Sequence, residues 1–263
     1  MDSAASTFTL SRFVEDVRAI VPGAGRALHV DLLPDGRTTL VFRVIDEGRK
    51  GDVAVVGPRT RALFKTPSGV ARAVLIQFKP GWSAPLLGVA ADALTNRIVS
   101  LEDVWGRSGR DLCVELLAAA SESVVLDRLA HALVSRTHQT FESASARLAR
   151  HAVRLLEGDE VRVESVAKRL GVTSRHLRRA FKECIGIGPK DFARSVRLQR
   201  AVRRSATSKD WGRIAADAGY YDQAHLIADF RELIGLTPGA FLKRVSVRSS
   251  RFASNEAAPV AAR

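Results

Sequence analysis

The residues best placed to do chemistry are four cations at helical spacing. Arg175, Arg178, Arg179 and Lys182 recur three and four apart within residues 174–184. At about 100° per residue they collect on one side of a helix, while Leu177, Ala180, Phe181 and Cys184 collect on the other. Guanidinium groups in such a row can pair in bidentate fashion with guanine O6 and N7 or clamp phosphate oxygens, so the face fits a DNA major groove. Ser174 and His176 lie beside it at the helix start, and Thr173 is placed as the N-cap. A solvated basic face would sort its side chains in the same way. Cys184 falls on the apolar stripe, which reads as a small core residue and not as a reactive thiol.

The charge distribution points to the same end of the chain. Of a net +13, residues 1–150 carry 19 basic and 16 acidic side chains, or +3, and residues 151–263 carry 22 and 12, or +10. A basic excess confined to one half suits a polyanion partner, though an arginine-rich solvated surface would give the same count. With 263 residues, 46% of them hydrophobic and 26% charged, the chain has material for two globular cores. No apolar run approaches the roughly 18 residues that cross a bilayer, and the first residues lack a signal-peptide core, so the expected location is cytoplasmic with no membrane partner.

An internal repeat supplies the elements that would hold the cationic stripe. Val166-Ala167 and Gly171 match Ile214-Ala215 and Gly219 at an offset of 48. Beyond the turn, Leu177, Phe181, Gly186, Pro189 and Phe192 match Leu226, Phe230, Gly235, Pro238 and Phe241 at an offset of 49, so the second copy has one inserted residue. Each copy reads as a helix-turn-helix, over about residues 163–184 and 211–234. In the first, Val163, Val166, Ala167 and Leu170 form the apolar face of a short helix and Gly171 the turn. In the second copy the stripe positions hold Ala224, Ile227, Ala228 and Arg231. That leaves Gln223 and His225 as its base-reading candidates and Asp222 as its cap. The first copy is therefore expected to read sequence and the second mainly to position the protein. Lys190, Arg194, Arg197 and Arg204 share one side of the connecting helix, facing either phosphates or solvent.

Residues 28–78 alternate in strand fashion, with runs over 38–45, 53–56 and 73–78. Turn signals separate them at Pro34-Asp35-Gly36, Glu47-Gly48, Gly57-Pro58, Pro67-Ser68-Gly69 and Lys79-Pro80-Gly81. Helical spacing follows over 86–94, 112–120 and 124–134. The expected fold class is α+β and multidomain. A β-rich half over 1–110, a cupin-like barrel or sandwich with helices, leads through a helical linker (111–142) to an all-α double helix-turn-helix domain (143–245) and a disordered tail (246–263). Apolar Phe64, Phe78 and Trp82 are candidates to line a small apolar or aromatic effector site, although core positions would account for them as well.

The chemistry of an enzyme is missing from the pattern. There is no G-x-S-x-G elbow, Walker loop, dinucleotide fingerprint or zinc-protease helix. The two cysteines form no metal-ligand spacing, and His29 is the only histidine before residue 131. Neither a cofactor nor a metal is expected.

Residues 152–244 resemble the AraC/XylS-type regulators. The resemblance is carried by Val166-Ala167-Lys168-Arg169-Leu170-Gly171-Val172-Thr173-Ser174-Arg175-His176-Leu177-Arg178-Arg179-Ala180-Phe181 and by Phe230-Arg231-Glu232-Leu233-Ile234-Gly235-Leu236-Thr237-Pro238 with Phe241. It implies a seven-helix module whose two helix-turn-helix units bind successive major-groove segments of double-stranded DNA, in a sequence-specific regulator of transcription. The family usually places an arginine late in the second recognition helix, where this sequence has Ala228. Leu33-Pro34-Asp35-Gly36, Val56-Gly57-Pro58, Phe78-Lys79-Pro80-Gly81 and Leu87-Gly88-Val89 are similar to the sensor half of a subset of such regulators. That likeness implies an effector or a homodimer partner there, and RNA polymerase as a partner if the protein is an activator.

Overall fold

Alternation decides the N-terminal half. The computed structural model describes residues 11–22, 28–46, 50–137, 143–158 and 162–252. Strands β1 (Val14–Ile20), β3 (Thr39–Ile45), β4 (Lys50–Val56), β6 (Val70–Phe78) and β7 (Ile98–Ser100) form an antiparallel sheet in the order β1-β6-β3-β4-β7. Strands β2 (Val30–Leu32) and β5 (Leu63–Lys65) pair separately. On β3, Leu40, Phe42 and Val44 are buried, and Leu40 and Phe42 face Ile76 and Val74 across the ladder. Period-2 side chains put these residues on one face and Thr39, Val41 and Arg43 on the other. The expected barrel-or-sandwich is thus an open five-stranded sheet with a two-stranded sheet opposite.

The expected strands over 38–45, 53–56 and 73–78 are β3, β4 and β6, each within a few residues. Strand β1 was not foreseen, because Glu15, Asp16 and Arg18 interrupt its apolar residues. It is an edge strand held by main-chain pairing to β6, with a register shift between Val14 and Asp16. The Glu47-Gly48 turn lies outside the described residues.

Helices cover one face of the sheet. The expected helix over 86–94 is two pieces, α1 (Ser83–Leu87) and a 3-10 turn (Ala91–Leu94), because Gly88 takes φ 75° at the end of α1. Then come α2 (Leu101–Trp105), α3 (Arg107–Leu117) and α4 (Glu122–Thr137). Leu112 and Leu116 of α3 and Val125, Leu129 and Leu133 of α4 pack into the same core as Phe42, Ile76 and Phe78. The stretch expected as a linker over 111–142 is therefore, as far as Thr137, part of the N-terminal unit. Its apolar stripe is what closes the core over the sheet.

Seven helices follow among the described residues: α5 (Ala144–Glu157), α6 (Val163–Arg169), α7 (Ser174–Ile185), α8 (Pro189–Arg204), α9 (Trp211–Ala218), α10 (Gln223–Ile234) and α11 (Pro238–Phe252). They bury two further cores. One joins α5, α6, α7 and the start of α8 around Phe181 and Phe192; the other joins the end of α8 with α9, α10 and α11 around Phe230 and Phe241. Helix α11 runs to Phe252, so residues 246–252 of the expected tail are helical, continuing from Pro238 at the helix start; residues 253–263 lie outside the described residues. No described helix is long and apolar enough to cross a membrane.

Candidate nucleic-acid interface

Each helix-turn-helix is fixed by its caps and its buried stripe. In the first unit Val163, Val166 and Ala167 of α6 are buried, Gly171 makes the turn at φ 66°, and Thr173 Oγ1 accepts from the His176 N–H at 3.2 Å. Helix α7 buries Leu177, Ala180, Phe181, Cys184 and Ile185 and ends on Gly186 at φ 87°. The ring of Phe181 meets that of Phe192 edge-on, centroids 5.7 Å apart. Side chains on the opposite stripe are left to solvent: Arg175, His176, Arg178, Arg179 and Lys182 are all exposed, and Ser174 is half-buried. The whole cationic face is thus presented on a rigid helix.

The second unit repeats the geometry with different side chains. Asp222 Oδ1 accepts from the His225 N–H at 2.7 Å, and Leu226, Phe230, Leu233 and Ile234 of α10 are buried. Gln223, Ala224, His225, Ala228 and Arg231 are exposed, with Ile227 half-buried. The His225 ring meets Tyr220 edge-on at 5.2 Å, which leaves Gln223 and Arg231 as the freer polar side chains on that helix. Burial, followed by the nearby Asp229 charge, pushes the Tyr220 phenol well above its ordinary ionisation.

The connecting helix α8 is less available than its sequence suggested. Arg194 donates to Asp229 Oδ1 at 2.8 Å and to both carboxylate oxygens of Glu232 at 3.1 and 2.7 Å, tying α8 to α10. Donating to Glu232 holds the Arg194 guanidinium firmly in the charged form. Arg197 lies 5.5 Å from the Tyr220 ring centre, and Arg204 pairs with Asp217 at 3.1 Å. Of the four, only Lys190 keeps an exposed ammonium without such a role assigned. It belongs to a cleft of about 650 Å³ beside α7 that also takes in Arg162, Arg178, Lys182 and Arg197. Arg162 and the cleft went unforeseen, since the Arg162 backbone stands outside both apolar repeats and only folding brings it near α7.

The N-terminal half grips both recognition helices at their C-terminal ends. Thr95 Oγ1 donates to the Gly186 carbonyl at 2.6 Å, and the Ala62 N–H donates to the Leu233 carbonyl at 2.7 Å. Gln199 of α8 donates to the Pro34 carbonyl, Arg37 pairs with Glu157 at 3.2 Å, and Arg244 stacks on Phe64 at 4.3 Å. Such helix-end carbonyls otherwise lack intrahelical donors, which is why these contacts form there.

Phe64, Phe78 and Trp82 line neither of two cavities that the described residues of the N-terminal half form. Phe78 is fully buried in the sheet core, Phe64 packs against the second helix-turn-helix, and Trp82 lies between Phe13 and the Arg150 guanidinium. Those two cavities have other walls. One of about 350 Å³ lies between the sheets, with Val41, Leu75 and Ile98 beside Arg43 and Lys65. Another, a cleft of about 670 Å³, opens between the β-rich half and α8, with Asp35, Arg37, Arg59 and Arg203 on its walls. Cys184 is buried as its stripe predicted, and burial raises its thiol to about 11.

Two helix-turn-helix units joined by one long helix, with a cationic face on the first recognition helix, define a nucleic-acid-binding module by architecture. Residues 166–244 match the family described as a helix-turn-helix domain, and residues 7–100 match a domain of unknown function (DUF6597). The chain thus carries an AraC-type helix-turn-helix domain behind a β-rich half. It is 33% identical over 128 residues to the HTH-type transcriptional activator RhaS of Pectobacterium carotovorum subsp. carotovorum (strain PC1), covering 46% of this chain and 44% of RhaS. Against the HTH-type transcriptional regulator GlxA of Rhizobium meliloti (strain 1021) it is 36% identical over 81 residues, 30% of this chain and 25% of GlxA. The chain therefore spans less than half the length of the curated relatives it matches, and both are named transcriptional regulators, not enzymes. The solved structure of ToxT from Vibrio cholerae superposes with a TM-score of 0.46 at 9% identity, over 87% of this chain and 98% of ToxT.

Proposed function

We propose that this protein is a sequence-specific DNA-binding regulator of transcription acting in the cytoplasm. Helix α7 enters a major groove as the main reader, through Arg175, Arg178, Arg179 and Lys182 with Ser174 and His176 at its start. Helix α10 follows in the next groove segment and mainly positions the protein, through Gln223, His225 and Arg231. The observation that carries this reading is the exposure of every cation of the α7 stripe on a helix whose other face is fully buried. Lys190 and Arg162, beside that face, would follow the phosphates flanking the groove.

The β-rich half modulates the pair through its grip on Gly186 and Leu233. A small molecule in the cavity between the sheets, or in the cleft against α8, would change how that half holds the two helices. An effector that binds the folded state raises the thermal midpoint by mass action, so a ligand screen on the full chain reads this arm.

The test of the main reading is site selection from random duplexes, followed by footprinting on the recovered sequence. The expected result is one sequence class protected over two successive major-groove segments on one face. Recovery of unrelated sequences with equal retention would replace it by an architectural, nonspecific DNA binder.

A further inference from the structure

The residue inserted into the second helix-turn-helix can be identified. In the first unit the Val172 N–H donates to the Ala167 carbonyl at 3.0 Å, and in the second the Tyr220 N–H donates to the Ala215 carbonyl at 2.9 Å. Val172 and Tyr220 are thus equivalent, 48 apart. The caps Thr173 and Asp222, which accept from His176 and His225, are 49 apart. Tyr221 is the extra residue and has no counterpart in the first unit.

Its environment is the opposite of its neighbour's. Tyr220 is 5% exposed, whereas Tyr221 is 94% exposed. A free aromatic side chain of that size adds nothing to the core, and its backbone is held between a buried residue and a helix cap. A helix-turn-helix presents the N-terminal end of its recognition helix to the groove, so the residue just before the cap meets the strand bordering that groove. On α10 two of the exposed positions hold only Ala224 and Ala228, short of the reach of Arg175 and Arg179 on α7.

We infer that Tyr221 is a DNA-contacting residue of the second unit, its phenol O–H donating to a phosphate oxygen and its ring lying against the adjoining deoxyribose. The inference rests on the DNA-binding reading above and adds a residue to it. A neutral donor to the backbone positions without reading sequence and displaces no counterion.

The test uses the full chain and a duplex recovered by site selection, with Tyr221→Phe and Tyr221→Ala compared to the parent. Removing the hydroxyl is expected to weaken binding about three- to tenfold. Removing the ring weakens it further, both to the same extent on selected and unrelated duplexes, with the salt slope and the melting temperature unchanged. Nitration of Tyr221 by tetranitromethane, read by peptide mass spectrometry, should be suppressed by bound DNA. Variants within twofold of the parent, or nitration indifferent to DNA, would overturn the inference while leaving the regulator reading intact. A loss confined to one base pair would overturn the phosphate assignment. A parent that retains no duplex defeats both.

Discussion

Arg178 and Arg179 sit one residue apart on the exposed stripe of α7, with Phe181 anchoring the helix from behind. Replacing either by alanine removes no core atom, so stability is expected to stay within about 0.5 kcal/mol. Affinity for the selected duplex should fall by about 1–3 kcal/mol, relaxing preference at one position if the side chain pairs with a base. Anisotropy titrations against single-base variants of the duplex measure this. Arg194 behaves in the reverse way. Alanine there leaves Asp229, 4% exposed, as a charge with its main ion pair removed, and the expected cost is about 3 kcal/mol of stability in urea unfolding. Glu232→Ala, at the exposed arm of the same pair, should cost less than about 1 kcal/mol. Equal costs would show that Asp229 does not depend on the guanidinium. Both arginine types carry the same charge, so the sequence pattern that isolated Arg178 also put Arg194 in a stripe facing either phosphates or solvent; only folding separates them, by bringing α10 against α8.

Among elements, the two recognition helices end alike, and that makes a matched experiment. Gly186 and Gly235 occupy equivalent positions at φ 87° and 79°. A Cβ on Gly235 meets nothing within 4 Å, while one on Gly186 would stand 2.8 Å from the Ala91 carbonyl and 2.9 Å from Pro58. Gly235→Ala is therefore expected to cost about 1–2 kcal/mol of backbone strain. Gly186→Ala should cost roughly 1–3 kcal/mol more, from overpacking against the N-terminal half. Urea midpoints that fall equally for both would mean the two halves are not pressed together there. The helices themselves were legible, because caps, glycine stops and a 3.6-residue stripe coincide at Thr173, Gly186, Asp222 and Gly235. Strand β1 was not, since edge pairing asks for main-chain groups and not for an apolar pattern. Nor could periodicity say that α3 and α4 belong to the sheet's core, because an amphipathic stripe shows that a helix is covered and not by what.

For the whole molecule, the contact between halves brings titratable groups together. Asp35 stands in the cleft against α8, accepting from the Arg37 N–H at 2.9 Å and from Gln77 at 3.0 Å. Burial raises its carboxyl from an ordinary 3.8 to about 6, partly offset by those hydrogen bonds and by the Arg37 charge. The folded protein then holds a proton that the unfolded chain has released between those values. Stability linked to Asp35 is full below about pH 3.8, declines as pH rises through about 6, and is level above. Asp35→Asn should remove that decline, so the parent loses stability relative to the variant between pH 5 and pH 7 in urea unfolding. A difference that does not change with pH would place Asp35 in water. This interface, like the cavities whose walls are not Phe64, Phe78 and Trp82, was out of reach of the sequence. Contacts between residues as distant as Thr95 and Gly186 leave no local pattern.

Whether α7 reads sequence is decided by one comparison: competition, at one fixed salt concentration, between a selected duplex and its scrambled counterpart for the 263-residue chain. The protein is expected to prefer the selected duplex by about a thousandfold or more, and to lose most of that preference when Arg178 and Arg179 are both alanine. Equal affinity for the two duplexes, or a preference untouched by the double substitution, would contradict it.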